Sequence, residues 1–541
     1  MNSVVARRFL GVLAVALVGV GLLAVPRALA HASLEVSTPS PSAVLEASPP
    51  FVSLDFDEDL EIPLTSIQLF DQDGTTVVLG PPVAGADGSI VQSSVPNISD
   101  GTYAVVWRIT SADGHVVNGA FSFQVGAGGG VDSGELIDRV SGADHSESAV
   151  VRALGVARFA SFAGAAVVIG GLFMVMLAGT NAVHGWATRR LLWFGWALLG
   201  LAALTNFSLL GVNTQAGSFG DMFDSSVWGD VAGTRTGGLL VARMVITLLF
   251  IPVLSLGMSR QRTWWPTAVP LLSMLTVFTF SGSGHPSVIN GPAPWIAVDA
   301  IHFAFVALWL GGLAMMAFGG NVWLRDEQRV HVARGFSRLA TVAIPLIIAT
   351  GVLQTWKLAG GWSNLTETTW GRILLAKGAV VVLLISLGGA ARWLLANEGP
   401  SNLRRMVVSE AVCAIAVLGL AAGLVEQPPA IAARAKVFTS ALTEGGIIVD
   451  VSLTPGRVGA NEVHFVVTPP GGNLAPIVGI TARMSLPSRN IPALPVTIEP
   501  SGSNHYIGNV TLLFAGDWNL EIVVEPVANQ TVLLTATVPI P

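Results

Sequence analysis

Three groups of residues in this 541-residue chain have the types and spacing that metal chemistry needs. The first is His31, in "ALAHASLEVS". Ala28-Leu29-Ala30 fits the small-x-small pattern read by signal peptidase. A cut after Ala30 makes His31 the N-terminus, and its α-amine and ring Nδ1 then form a chelate. The second is Asp113-Gly114-His115. Residues two apart share one face of an extended chain, so this carboxylate and imidazole converge, and Gly114 lets the backbone bend between them. Joined to His31 they give three nitrogens and one carboxylate oxygen, a tetragonal set that suits Cu(II). No methionine or cysteine lies between His31 and Gly130, which argues against a soft Cu(I) site there. The third group sits in the apolar run "PWIAVDAIHFAFVALWLGGLAMM". Asp299 and His302 are three apart, on one helical face. His285, in "SGSGHPS", falls just past the preceding apolar run. Two histidines and an aspartate would meet near one membrane surface.

Each group also has a plainer reading. His31 is then a chance neighbour of the cleavage site, "DGH" an ordinary hairpin turn, and the membrane residues a hydrogen-bonded cluster that orients helices. Spacing alone leaves both readings open.

The elements that must position these residues follow from composition. Apolar residues make up 52% of the chain and charged residues 11%, too few charges for a soluble protein of this length. Residues 1–30 read as a signal peptide: Arg7 and Arg8, an apolar stretch from Phe9 to Val25, then the small-residue site. Residues 31–127 alternate apolar and polar in "FVSLDFD", "TSIQLF", "TYAVVWRIT" and "GAFSFQV", which predicts a β-sandwich. From His31 to Gly130 there are twelve acidic residues and one basic residue, Arg108, a balance that attracts cations. Residues 128–149 read as a Gly/Ser/Asp linker.

Residues 150–427 hold eight apolar runs, near 151–179, 191–211, 238–258, 264–282, 294–318, 337–356, 373–394 and 406–425. Each is about the 20 residues a bilayer crossing needs. With the first β domain outside, the cytoplasmic loops carry eleven basic residues, Arg189 to Arg405, against Arg235, Lys357 and Arg372 opposite, as the positive-inside rule requires. Eight crossings return the C-terminus outside. After a linker at 428–440, residues 441–541 alternate again and predict a second β-sandwich. The sequence thus specifies a multidomain membrane protein: an all-β sandwich, an eight-helix transmembrane bundle and a second sandwich. The single cysteine, Cys413, excludes a disulfide framework.

Several motifs carry a resemblance. "HASLEVSTPSPSAVL", "LDFDEDLE" and "VVWRITSADGHVVNGAFSFQV" resemble the CopC copper-binding domain, an Ig-like sandwich in which an N-terminal His and an Asp-x-His pair hold Cu(II). On that resemblance His31, Asp113 and His115 are the ligands. The methionine-rich Cu(I) loop of some members is absent, leaving a Cu(II)-only version. Glu58, in "FDEDL", is either a group supporting the ligands or a surface acid. "GHP…D..H…LWLGGL", "GFSRLATVAIPLIIATG", "WGRILLAKGAVV" and "VVSEAVCA" are similar to the CopD membrane domain, associated with copper movement across the inner membrane. A CopC–CopD fusion with an extra C-terminal β domain resembles the YcnJ type of copper-uptake protein.

Other polar residues complicate this reading. Arg158, Arg243 and Lys377 lie in the outer halves of their helices and obstruct a cation path, unless one of them pairs with Asp299. Met174 with Met176, and Met315 with Met316, either pass Cu(I) inward or pack. His464, Met484 and His505 are scattered through the last domain and either bind copper or, as is usual for such scattered residues, are incidental. No Walker A pattern, "DKTG" motif or nucleotide fingerprint is present, which argues against ATP-driven pumping.

The resulting expectation is a non-enzymatic copper acquisition protein of the bacterial plasma membrane. Copper ions and the lipid bilayer are its partners, with no nucleic acid or nucleotide. Its β domains are extracytoplasmic, facing the periplasmic space, and a copper chaperone or oxidase-assembly factor is a further partner. Two alternatives stand beside it: a haem-containing electron-transfer protein that reduces copper, and a non-transporting copper buffer or metallochaperone.

Overall fold

The computed structural model describes residues 34–540 except 42, 57, 86, 113, 127–132, 141–144, 179–184, 216, 218, 258–263, 288–290, 320–325, 360–361, 363, 398–402, 428–429, 431–437, 455, 457, 469–476 and 503. The signal peptide, His31 and Asp113 lie outside the described residues.

The N-terminal strands form two sheets. They are β1 (Leu34–Thr38), β2 (Val44–Leu45), β3 (Phe51–Phe56), β4 (Ser66–Phe70), β5 (Thr76–Val77), β6 (Val83–Ala84), β7 (Ile90–Ser94), β8 (Gly101–Thr110) and β9 (Val116–Val125). The sheet orders are β1-β3-β7-β6 and β2-β9-β8-β4-β5. Alternation decides the packing: Val52, Leu54 and Phe56 of β3 face Val105, Trp107, Phe121 and Phe123 in one core. The long β8–β9 hairpin pairs from Gly101↔Val125 to Thr110↔Val116, so its turn falls at 111–115.

The stretch expected to be a plain linker contains a helix, α1 (Ser133–Val140), whose Leu136 is fully buried. An apolar pair, Leu136 and Ile137, within a polar run is enough to dock one helical turn.

Eight further long helices match the eight apolar runs. These are α2 (His145–Ala178), α3 (Trp186–Thr214), α5 (Arg235–Pro252), α6 (Trp265–Ser281), α7 (Pro292–Phe318), α8 (Asp326–Ala359), α10 (Thr369–Asn397) and α11 (Leu403–Val425), with short α4 (Ser225–Ala232) and α9 (Asn364–Glu367) between them. Seven are long and apolar enough to cross a bilayer; α6 is apolar but has 17 residues. Gly311 permits a close helix approach, because a Cβ there would collide with the Ala166 carbonyl of α2. Met174 and Met315 are fully buried beside this contact, as packing groups of the bundle core.

The C-terminal strands are β10 (Phe438–Glu444), β11 (Ile447–Thr454), β12 (Gly459–Thr468), β13 (Gly479–Leu486), β14 (Ile491–Pro495), β15 (Thr497–Gly502), β16 (His505–Leu512), β17 (Gly516–Val527) and β18 (Gln530–Ile540). Two sheets, β10-β11-β12-β16-β15 and β14-β13-β17-β18, enclose Phe465, Met484 and Trp518. β10 starts inside the stretch read as the second linker.

Candidate metal centres

In the first domain the described part of the expected centre is the β8–β9 turn. The Ser111 N–H donates to the His115 carbonyl at 2.9 Å, and His115 is 8% exposed. Gly114 takes φ +86°, in the left-handed region, so the chain turns at this glycine. A tight turn positions His115. The segment carrying half-buried Glu58 leads to the same place, since Leu60 bridges to Ser111 and the Glu61 N–H donates to the Thr110 carbonyl at 2.8 Å.

In the helical unit, Asp299 and His302 lie about 10 and 15 Å along α7 from its start, at 1.5 Å per residue. His302 Nδ1 is 3.0 Å from Thr350 Oγ1 of α8. Thr350 spends its one proton on the Leu346 carbonyl at 2.6 Å, so His302 must donate through Nδ1–H. In the neutral ring Nε2 then carries the lone pair, and the Ile347 backbone makes a further hydrogen bond with His302. Asp299 stands within reach of Ser281, Gln354 and the Lys377 ammonium. His285 is 8% exposed in a short turn after α6, which Arg235 clamps by donating to the Gly282 carbonyl at 3.0 Å and the Ser287 carbonyl at 3.3 Å. Among the described residues no three His, Cys, Asp or Glu side chains stand close enough to hold one ion, so His285, Asp299 and His302 do not form a preassembled centre.

Arg158, Arg243 and Lys377, the cations expected to obstruct a path, each have a partner. Arg158 pairs with Glu426 at 3.7 Å. Arg243 donates to Thr279 Oγ1 at 3.0 Å and the Thr279 carbonyl at 2.8 Å, with its guanidinium 3.6 Å from the Phe280 ring centroid. Lys377 faces Asp299. Thr350 and Gln354, which complete the surroundings of His302 and Asp299, were missed in the sequence; their i,i+4 spacing within an apolar run was the available signal.

Comparison with known proteins places these features. Residues 34–126 match the CopC domain, residues 148–295 the Copper resistance protein D-like N-terminal domain, and residues 330–424 Copper resistance protein D. The chain is 24% identical over 484 residues to the Copper transport protein CutJ of Bacillus subtilis (strain 168), covering 87% of this chain and 86% of that one. It is 34% identical over 111 residues to Copper resistance protein C of Xanthomonas campestris pv. juglandis, covering 19% of this chain and 86% of that one. The crystal structure of CopC from Methylosinus trichosporium OB3b matches at 31% identity, covering 19% of this chain and 98% of that one with a TM-score of 0.17. The chain belongs to the CopC copper resistance family and joins its CopC domain to Copper resistance protein D-type domains.

Within this fusion, Glu58, Asp113 and His115 fall in the CopC range and His285 in the CopD-like N-terminal range. Asp299 and His302 fall between the two membrane ranges, while Thr350, Gln354 and Lys377 fall in the second. The matched ranges end at residue 424, before the C-terminal sandwich.

That sandwich holds a further polar group. His464 Nε2 contacts Glu462 Oε1 at 2.6 Å, and His464 Nδ1 lies 3.2 Å from His505 Nε2. Met484 is not with them; it is buried in the sandwich core. Burial, with help from His464, holds His505 down at about 4, and the hydrogen bond from His464 lowers Glu462. A histidine lowered by folding favours its neutral form. Its stabilisation is therefore complete above the ordinary value of about 6.5 and lost as pH falls towards about 4. Glu462 acts in the same direction at lower pH. In the metal-free chain, hydrogen exchange in β12 and β16, corrected for intrinsic rates, is expected to accelerate over this window relative to β17 and β18. Equal acceleration of all four strands would refute it.

Proposed function

We propose that this CopC–CopD fusion acquires copper for import across a bacterial plasma membrane. The N-terminal domain, residues 31–127, captures Cu(II) outside the cell through His31, Asp113 and His115. The helical domain, residues 150–427, receives copper at His285, Asp299 and His302 and moves it inward. The C-terminal domain, residues 441–541, lies outside, in keeping with the arginine bias of the loops.

The observation that carries the reading is the union in one chain of a CopC domain and Copper resistance protein D-type helical domains. Strand order gives further support. β1 pairs with β3 so that Leu34 stands opposite Phe56, and the chain beyond β3 leads to Ser111. His31 is three residues ahead of Leu34, the first residue of β1. CutJ, similar along most of its length, is described as a copper transport protein.

The purified chain in sealed proteoliposomes is expected to accumulate labelled copper over time without added nucleotide. Accumulation no greater than in protein-free vesicles, with Cu(II) still bound, would favour the buffer. A Soret band in the purified protein would favour the electron-transfer alternative.

A further inference from the structure

His464 and His505 are 41 residues apart, and only strand pairing brings them together. In β12, Val463, Phe465 and Val467 face the sandwich core, so Glu462 and His464 project from the opposite face of the sheet. His464 pairs with Ile507 of β16, and His505 is its diagonal neighbour on that same face. Both rings are nevertheless shielded, at 6% and 4% exposure. They lie nearly parallel, with centroids 5.4 Å apart and 23° between planes.

The hydrogen bonds fix the chemistry of the pair. The Glu462 carboxylate accepts from His464 Nε2–H; in the neutral ring Nδ1 then carries the lone pair, and it lies 3.2 Å from His505 Nε2. A carboxylate locking one nitrogen of an imidazole whose other nitrogen is a donor atom is the arrangement that surrounds metal-bound histidines. The separation also fits. Two metal–nitrogen bonds of about 2.0 Å span about 2.8 Å at a right angle and about 3.3 Å at a tetrahedral angle, and the observed 3.2 Å lies between these. The sandwich interior makes no use of these groups, since Phe465 and Trp518 close it from the other side.

We propose that His464 Nδ1 and His505 Nε2 bind one copper ion, making the C-terminal sandwich a second metal-binding domain with Glu462 as the positioning carboxylate. When the ion enters, His505 gives up its Nε2 proton and takes one at Nδ1, so both rings stay neutral. The choice of copper rests on the function proposed above; the convergence of the two nitrogens does not.

The test is copper content of the purified full-length chain in detergent, loaded with Cu(II) and washed over a weak chelating resin. His464→Gln and His505→Gln are each expected to hold one copper fewer than the unaltered chain, and the double variant no fewer than either single one. Glu462→Gln is expected to weaken the same copper by roughly 10- to 100-fold. His115→Ala removes a different copper, so failure of the N-terminal reading and failure of this one give separate results. Full copper retention by both single variants would overturn the proposal. Should those variants misfold, crystals of the unaltered copper-loaded chain are expected to show a copper-edge anomalous peak between the two nitrogens. Its absence, with copper bound elsewhere, would overturn the proposal equally.

Discussion

Adding one residue ahead of His31 is expected to remove most of the Cu(II) affinity of the N-terminal domain. On the proposed reading His31 supplies two donors, the α-amine and Nδ1. An extra residue converts the amine to an amide, which is no ligand while it keeps its proton, and the chelate opens. Losing a group that merely orients a ligand costs about 10- to 100-fold in metal affinity, so losing a direct donor is expected to cost more than that. Residues 31–126 suit the measurement because their strands close around their own core. A fragment beginning at His31 and one beginning a residue earlier are compared by competition against a copper chelator. His115→Ala in the first fragment is expected to weaken binding as well, through loss of an imidazole held at the β8–β9 turn. Affinity should fall with acid, because every proposed nitrogen donor must lose a proton to bind. Equal affinity of the two fragments would remove His31 from the site.

What could be read in the sequence follows the range of the interactions that form each feature. Alternation is local, so "TYAVVWRIT" and "GAFSFQV" gave β8 and β9, and hydropathy is local, so all eight long helices were located. The failures are non-local. Helical periodicity gives the face on which Arg243 lies but not the neighbour it meets, which proved to be Thr279 of α6. The same limit hid Thr350 as the acceptor for His302. His464 and His505 read as scattered because β13, β14 and β15 intervene between the two strands that pair. The turn at Gly114 shows the reverse case: a local signal, glycine between two polar residues, marked the place, and its φ of +86° turns the chain there.

Replacing His302 by Gln is expected to abolish copper accumulation, down to the level of cells lacking the gene, while the protein still reaches the membrane. The reason lies in the two ring nitrogens. Nδ1–H serves structure, donating to Thr350 Oγ1 at 3.0 Å and tying α7 to α8. The glutamine amide supplies a donor of similar reach, so that tie is preserved. In the neutral ring Nε2 carries the lone pair, and a neutral amide is a poor substitute for it as a copper ligand. A cluster kept only to orient helices would therefore tolerate the change; a binding site would not. Thr350→Val isolates the other nitrogen. It removes the acceptor while keeping the shape, so uptake should weaken without being abolished. Asp299→Asn tests a separate role, because Asp299 faces Lys377 across the bundle. Neutralising it leaves that ammonium without its counter-charge, so the amount of protein in the membrane should fall more than uptake per molecule, and adding Lys377→Gln should restore it. Copper accumulation is measured at matched membrane levels of each variant. Normal accumulation by His302→Gln, with the same result for His285→Gln, would make the polar groups of α7 a scaffold and leave copper buffering as the function of this chain.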